Sequence, residues 1–330
     1  MNAVNVVAFG GGHGLSATLR ALRLLRSGGV PGDEAGLRIT AVVTVADNGG
    51  SSGRLRATRQ CLPPGDLRQA LAALGGGDDG SALSGRLFQH RFAGHDALAG
   101  HTVGNLVLVG LMELLDDPVR ALDHAAQMLR AEGRVLPMSR VPLGIEADVV
   151  GADPTRPERT VVVRGQHEVA VTAGEVRQVR LMPAEPVACV EALSAVTEAD
   201  WLLFGPGSWY TSVIPHLLVP ELASAIGKSP ARRLVILNLA EETETAGLSL
   251  ADHLRALSGH AKDLRVDVVL ADGFAVTDPE PVRVAAESLG AGLALAPVAE
   301  RGASPRHDPA ALAAALQPIL GLARGQHNAR

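Results

Sequence analysis

Val4-Asn5-Val6-Val7-Ala8-Phe9-Gly10-Gly11-Gly12-His13-Gly14 is an apolar strand running straight into a glycine-rich turn, and Leu15 to Arg26 behind it has helical spacing. Leu15, Leu19, Leu22 and one of Leu24 or Leu25 share a face, so the segment reads as strand, glycine loop and helix. Glycine lets backbone N–H groups approach a phosphate with no Cβ in the way, and a helix N-terminus adds unpaired donors and partial positive charge. The spacing is not the dinucleotide fingerprint: G-x-G-x-x-G would need glycine where Leu15 stands, and the P-loop lysine is missing. A tight strand-to-helix connection with no ligand would use the same glycines. A second apolar strand, Leu37 to Val45, then runs into Asp47-Asn48-Gly49-Gly50-Ser51-Ser52-Gly53. Two such loops at the ends of the first two strands point to a nucleotide site.

Further strand-like runs at Trp201 to Phe204, Leu234 to Leu239, Val266 to Leu270 and Leu293 to Ala296 alternate with helical patterns. That alternation predicts a doubly wound, mostly parallel sheet. Gly65 to Leu74, Ala82 to Phe92, Thr102 to Leu115 and Pro118 to Leu129 read as consecutive helices, a lobe over one sheet edge. From Arg134 to Met182, short β-branched runs such as Thr160 to Val163 and Val169 to Thr172 alternate with turns, Gly151 to Glu158 among them, which predicts a small antiparallel β insertion. The expected organisation is one α/β domain over 1–330: an N-terminal half with the lobe (1–130), the insertion (131–186), a C-terminal half of the sheet (187–322) and a tail (323–330). The insertion is the segment expected to form a subdomain or to carry an oligomer contact, with a homodimer as the expected assembly.

The chain has 330 residues, 47% of them hydrophobic but only 2% aromatic, so its core is built from Val, Leu, Ala and Ile, as suits strands covered on both faces. Its net charge of −5 favours neither nucleic acid nor an acidic membrane surface as a partner. Cys61 and Cys189 are isolated, which fits unpaired thiols in a reducing compartment. Val4 to Phe9 is too short for a signal sequence and no run reaches the length of a membrane span, so a cytoplasmic protein is expected.

Asp47 follows its strand directly, where a carboxylate can meet ribose hydroxyls or a metal-bound phosphate; an Asx turn is the structural alternative. Ser51 and Ser52 add hydroxyls, and Arg54 and Arg56 follow as phosphate partners. In Leu62-Pro63-Pro64-Gly65-Asp66, the acid is read chiefly as a helix cap. His101 and Asn105, four apart at the start of a helix, can share one face pointing into the cleft. His90, His95, His101 and His124 are too irregularly spaced for a metal site. A third glycine loop, Gly205-Pro206-Gly207-Ser208, again links strand to helix, and its surroundings lack the G-x-S-x-G elbow of a nucleophilic serine. Asn238 ends the next strand on the same edge.

Together GGGHGLSATLRAL, ITAVVTVADNGGSSGRLR, LPPGDLRQALAAL, GHTVGNLVLVGL, GRVLPMS and GPGSWYTSVIPHLLVP resemble the YvcK-type gluconeogenesis factors, relatives of 2-phospho-L-lactate transferase (CofD). The likeness spans Val4 to Leu316 and is nearest to the actinobacterial branch, with its PRHDP-like segment at Pro305-Arg306-His307-Asp308-Pro309. The resemblance implies a Rossmann-like core, binding of nucleotide sugars such as UDP-N-acetylglucosamine or UDP-glucose, and a role in cell shape and peptidoglycan precursor supply during gluconeogenic growth. It implies a nucleotide-sugar site lined by Gly10, Gly11, Gly12, His13, Gly14, Asp47, Gly205, Pro206, Gly207, Ser208, Asn238 and Arg306, to which the loop reading adds Asn48, Ser51, Ser52 and Asn105. Arg306 suits a diphosphate because guanidinium binds it bidentately; otherwise it is a surface residue ahead of a helix capped by Asp308.

Two departures matter. The usual A-D-D-G-G-S-S reads Ala46-Asp47-Asn48 here, one carboxylate fewer, which suits holding a ligand better than activating it. The usual N-L-x-x-Q-P-G-E-T reads Asn238-Leu239-Ala240-Glu241-Glu242-Thr243-Glu244-Thr245, without Gln, Pro or Gly. The expectation is therefore a non-catalytic binding regulator that requires no cofactor and answers to a protein partner. The alternative is a CofD-like transferase in which Asp47 holds Mg²⁺ or orients the acceptor and His101 assists proton transfer. A nicotinamide oxidoreductase ranks last, with NAD kept only as a ligand that the fold could bind.

Overall fold

The computed structural model describes residues 3–27, 36–77, 79–240, 242–302 and 305–322; the expected tail at 323–330 lies outside them, as does Glu241. The strands are β1 (Val4–Gly10), β2 (Leu37–Val43), β3 (Arg134–Pro137), β4 (Gly144–Val150), β5 (Thr160–Arg164), β6 (Glu175–Met182), β7 (Trp201–Phe204), β8 (Arg232–Ile236), β9 (Val268–Asp272) and β10 (Gly292–Ala296). Seven of them form one sheet in the order β10-β9-β8-β7-β1-β2-β3, parallel throughout. β5, β4 and β6 form a separate antiparallel sheet. The predicted α/β architecture, mostly parallel and with a small antiparallel β insertion, is thus the one observed.

The aliphatic runs explain the order. β1 is central, with Ala8 opposite Ala41 of β2 on one side and Leu203 of β7 on the other. Val6 to Phe9 and Trp201 to Phe204 are all buried, and the Phe9 and Phe204 rings stack at 4.9 Å. Each side chain of that size contributes about 1.5–3 kcal/mol on burial, so exchanging a central strand for an edge strand would forfeit most of that gain.

The helices are α1 (Gly12–Ser27), α2 (Gly50–Arg59), α3 (Pro64–Leu74), α4 (Asp79–Gln89), α5 (Val103–Leu115), α6 (Pro118–Met128), α7 (Gln166–Ala170), α8 (Val190–Thr197), α9 (Pro220–Lys228), α10 (Leu250–His260), α11 (Pro279–Ser288) and α12 (Pro309–Ile319). In α1, Leu15, Leu19 and Leu22 are buried while Leu24 is exposed and Leu25 half-buried, which decides between the last two. The helix packs on α3 and α12. α2 to α6 make the helical lobe, one helix more than the sequence predicts.

Four expectations need correction. Gly50 to Gly53 is the first turn of α2, because Gly53 packs against the Asn48 carbonyl where a Cβ would collide. Arg134–Pro137 is not part of the insertion; it is the edge strand β3, paired with β2 from Thr40 to Val43. Val169 to Thr172 is not a strand, since α7 runs through Ala170 and Thr172 closes a turn onto Val169. Asp66 does not cap α3: Pro63 occupies the cap position, and Asp66 is buried inside the first turn. By contrast Asp308 caps α12 as predicted, accepting from Ala310 and Ala311 N–H at 2.8 and 2.9 Å.

Candidate functional site: a cleft at the strand-order reversal

Chain order along the sheet reverses between β1 and β7, and ligands of open parallel sheets bind beyond the carboxyl ends of strands at such a point. The glycine loops after β1 and β7 meet there. A Cβ on Gly14 would fall inside the Pro206 carbonyl, so only glycine allows the loops to lie back to back. Asn238, at the exit of β8, grips the loop after β7 from both sides: its Oδ1 accepts from Gly207 N–H (2.8 Å) and its Nδ2 donates to the Gly207 carbonyl (3.0 Å).

The loops border a cleft of about 280 Å³. His13, Gly14, Pro206, Gly207, Asn238 and Arg306 line it, together with Ser16, Arg20, Glu242, Glu300 and His307. Arg306 is exposed, and its carbonyl accepts from Glu300 N–H at 2.7 Å, which fixes the segment before α12 against the chain after β10. Desolvation and the positive charges of Arg306, Arg68 and Arg20 lower the His13 pKa, which favours its neutral form. The cleft thus brings the N-terminus of α1 together with the guanidinium-bearing Arg20 and Arg306, groups whose charge and donors suit an anion.

The loop after β2 forms a second, adjoining cluster. Asp47 makes the Asx turn, Oδ1 accepting from Gly49 N–H at 2.8 Å, and a Cβ on Gly65 would stand 3.0 Å from its Oδ2. Asn48 turns away: Oδ1 accepts from His167 N–H (2.9 Å) and Nδ2 donates to the Glu168 carboxylate (2.7 Å), fastening α7 to the loop. Buried Arg68 donates to Asn105 Oδ1 (2.9 Å), Asn105 Nδ2 donates to Ser51 Oγ (3.0 Å), and Ser51 Oγ lies 2.9 Å from His101 Nδ1. With Asn105 donating to it, the Ser51 oxygen still has its own proton to give and a second lone pair, so it pairs with either tautomer of His101. Desolvation, then Arg54 and Arg91, lower the pKa of His101. Ser52 is buried beside Gly65. Ser208 bonds Thr211 at the head of the turn that follows.

The sequence-predicted residues therefore fall into two groups, with His13, Gly14, Pro206, Gly207, Asn238 and Arg306 on the cleft and Asp47, Ser51, Ser52, His101 and Asn105 beside it. Asp66 joins the groups and was missed as a site residue. It accepts from Gly12 N–H under the first loop, and burial plus the neighbouring Asp47 push its carboxyl up to about 7. A Cβ on Gly11 would stand 2.5 Å from its Oδ2. Burial and Arg91 lower Arg68 to about 10, with Asp66 opposing them. α2, α3 and α5 also begin without side-chain caps, unlike α6, α10 and α12.

The family model described as 2-phospho-L-lactate transferase CofD matches residues 6–289. The chain belongs to the CofD family. A Mycobacterium tuberculosis relative named "Putative gluconeogenesis factor" is 49% identical over 318 residues, covering 95% of this chain and 90% of its own. A Halalkalibacterium halodurans member named "Gluconeogenesis factor" is 37% identical over 288 residues, covering 87% and 83%. The crystal structure of a UPF0052-family protein from Bacillus halodurans superposes with a TM-score of 0.82 at 33% identity, covering 96% of this chain and 99% of that one. The resemblance to YvcK-type gluconeogenesis factors read from the motifs agrees with these matches, and this CofD-family chain shares their fold over nearly its whole length. Among the described residues no helix is long and apolar enough to cross a membrane.

Proposed function

We propose that the chain is a cytoplasmic nucleotide-sugar-binding regulator, with UDP-N-acetylglucosamine or UDP-glucose as its ligand. It would act in cell shape and peptidoglycan precursor supply under gluconeogenic growth through a protein partner that senses the ligand. The observation that carries this reading is the cleft at the β1/β7 crevice, where the α1 N-terminus, Arg20 and Arg306 surround a space bordered by back-to-back glycine loops. The names of the relatives point to gluconeogenic growth as the setting. Desolvation and the cations Arg54 and Arg91 lower the pKa of His101, the opposite of the effect a partner carboxylate has on the His of a Ser-His-Asp unit. Isothermal titration with UDP-N-acetylglucosamine tests the reading. Saturable heat at micromolar to millimolar ligand is expected; silence with it, UDP-glucose and NAD alike would remove the proposal.

A CofD-like transferase is the second reading, favoured by one observation, the Asp47 and Asp66 carboxyls placed close enough for one to raise the other. Mg²⁺ binds through one or two carboxylates plus substrate phosphates, and the pair beside the phosphate-suited loop fits that donor set. Asp47 and Asp66 would hold the ion, which would neutralise phosphate charge when bound. This chain's own residues would supply position: Arg306 and Arg20 orient the phosphates, and the Ser51–Asn105–Arg68 chain fixes the His101 ring. Incubation with activated 2-phospholactate, a deazaflavin acceptor and Mg²⁺ distinguishes the two readings, because the regulator forms no product.

A further inference from the structure

The cleft is chemically two-sided. Donors gather at the α1 N-terminus, Arg20 and Arg306, whereas Glu242 and His307 supply acceptors. Glu242 belongs to the stretch Ala240 to Thr245, which lacks the Gln-Pro-Gly pattern that the family resemblance leads one to expect. Its backbone is fixed, since Glu242 N–H donates to Thr245 Oγ1 at 3.1 Å and Thr245 N–H returns to the Glu242 carbonyl at 3.0 Å. Behind it Glu244 is buried, Oε1 accepting from Tyr210 N–H at 2.9 Å. Burial and the Glu244 charge push the Glu242 carboxyl up to about 7 against a hydrogen bond with the Ser208 hydroxyl, so it stands between an acceptor-only and a donor–acceptor group, and both forms have capacity for a further hydroxyl.

His307 is held across the cleft by the antiparallel bridge to Ala299 and by the Asp308 N–H bond to the Val298 carbonyl at 2.9 Å. Burial keeps its imidazole neutral, lowering it to about 4, and Nε2 is buried with no hydrogen-bond partner. A neutral imidazole has one acceptor nitrogen, and a buried polar atom without a partner costs about 1–3 kcal/mol. A diphosphate esterified at both ends has no donor to offer Glu242 or His307. A glycosyl or ribosyl unit does.

We propose that Glu242 and His307 read the hydroxyls of the sugar part of the ligand, whose phosphates lie toward Arg306 and the loop after β1. This rests on the nucleotide-sugar reading above. The pair acts as a specificity determinant: it favours a hydroxyl-bearing ligand over a bare di- or triphosphate and over a deoxygenated analogue.

The test is calorimetry of the wild type, Glu242→Ala and His307→Leu with UDP-N-acetylglucosamine, UDP and inorganic pyrophosphate. Glu242→Ala is expected to weaken UDP-N-acetylglucosamine at least tenfold while pyrophosphate binds as well as before or better, because a negative charge has left the cleft. If UDP weakens equally, the residue reads ribose; if UDP is unchanged, it reads the hexosyl group. Equal weakening of pyrophosphate and sugar nucleotide, or no weakening of either, overturns the proposal. His307→Leu should show the same split, and should it fail to fold, Glu242→Ala decides alone. Absence of all UDP binding in the wild type removes the nucleotide-sugar reading itself and this inference with it, a result distinct from wild-type binding that the variants leave unchanged.

Discussion

Gly14 has no room for a side chain, because a Cβ there would enter the Pro206 carbonyl and stand 2.8 Å from Gly207 Cα. Overpacking of this kind costs about 1–3 kcal/mol, so Gly14→Ala should lower the urea midpoint and abolish ligand binding together. Gly110 is the contrast: it is an exposed position inside α5 with nothing within 4 Å of where a methyl would stand, and Gly110→Ala should stabilise by about 0.5–1 kcal/mol. Asp66 carries a different signature. Its folded value of about 7 exceeds the ordinary 3.8, so between those values the native state holds a proton that the unfolded chain has lost. Its contribution to stability is therefore complete below about pH 4 and lost as pH rises through 7. Asp66→Asn lacks that loss, and the stability of the variant relative to wild type should climb over this interval by on the order of 4 kcal/mol. A flat difference across pH 4–7 in chemical denaturation would show that Asp66 is not a proton-holding carboxyl. The sequence Pro63-Pro64-Gly65-Asp66 hides this role because it satisfies the pattern of a capped helix, and only the tertiary approach of Gly12 reveals the acid's partner.

At the scale of elements, legibility depends on whether a segment's own pattern or a distant neighbour shapes it. β1, α1 and α12 are readable because aliphatic runs, leucine spacing and the Asp308 cap are local. α7 is not: its Val169-Ala170-Val171-Thr172 portion favours a strand by composition, but Asn48, more than a hundred residues earlier, holds the N-terminal turn through His167 and Glu168. β3 escapes notice for a similar reason, four residues ending in Pro137 that become a strand only by pairing with β2. Asn48 is also the position at which the family resemblance leads one to expect an acid. Asn48→Asp would face Glu168 with a like charge and remove a donor, and hydrogen exchange of the α7 amides should accelerate roughly tenfold, equivalent to about 1.4 kcal/mol. Glu168→Gln in the same chain should restore protection. Unchanged exchange in Asn48→Asp would mean that the insertion is held to the sheet by other contacts.

For the molecule as a whole, the order β3-β2-β1-β7-β8-β9-β10 explains why loops distant in sequence converge, since the reversal brings the ends of β1 and β7 side by side and places Asn238 next to them. Both glycine loops and Asn238 were legible as cleft residues because each follows an aliphatic strand. The division of the site was not, because only the fold shows that the Ser51–His101–Asn105 network lies beside the cleft while Glu242 and His307 line it. Arg306 stands on the cleft from the segment before the last described helix, so the site is complete only when the C-terminal part of the chain closes over loops from its beginning. That closure makes one comparison decisive: calorimetric titration of UDP-N-acetylglucosamine into the wild type and into Arg306→Ala, with thermal unfolding of both as a check on folding. Saturable binding by the wild type, weakened at least tenfold in a variant of unchanged melting temperature, is the predicted result. Equal affinity in the two proteins would take Arg306 out of the site and contradict a cleft built to hold a diphosphate between the first glycine loop and the C-terminal segment.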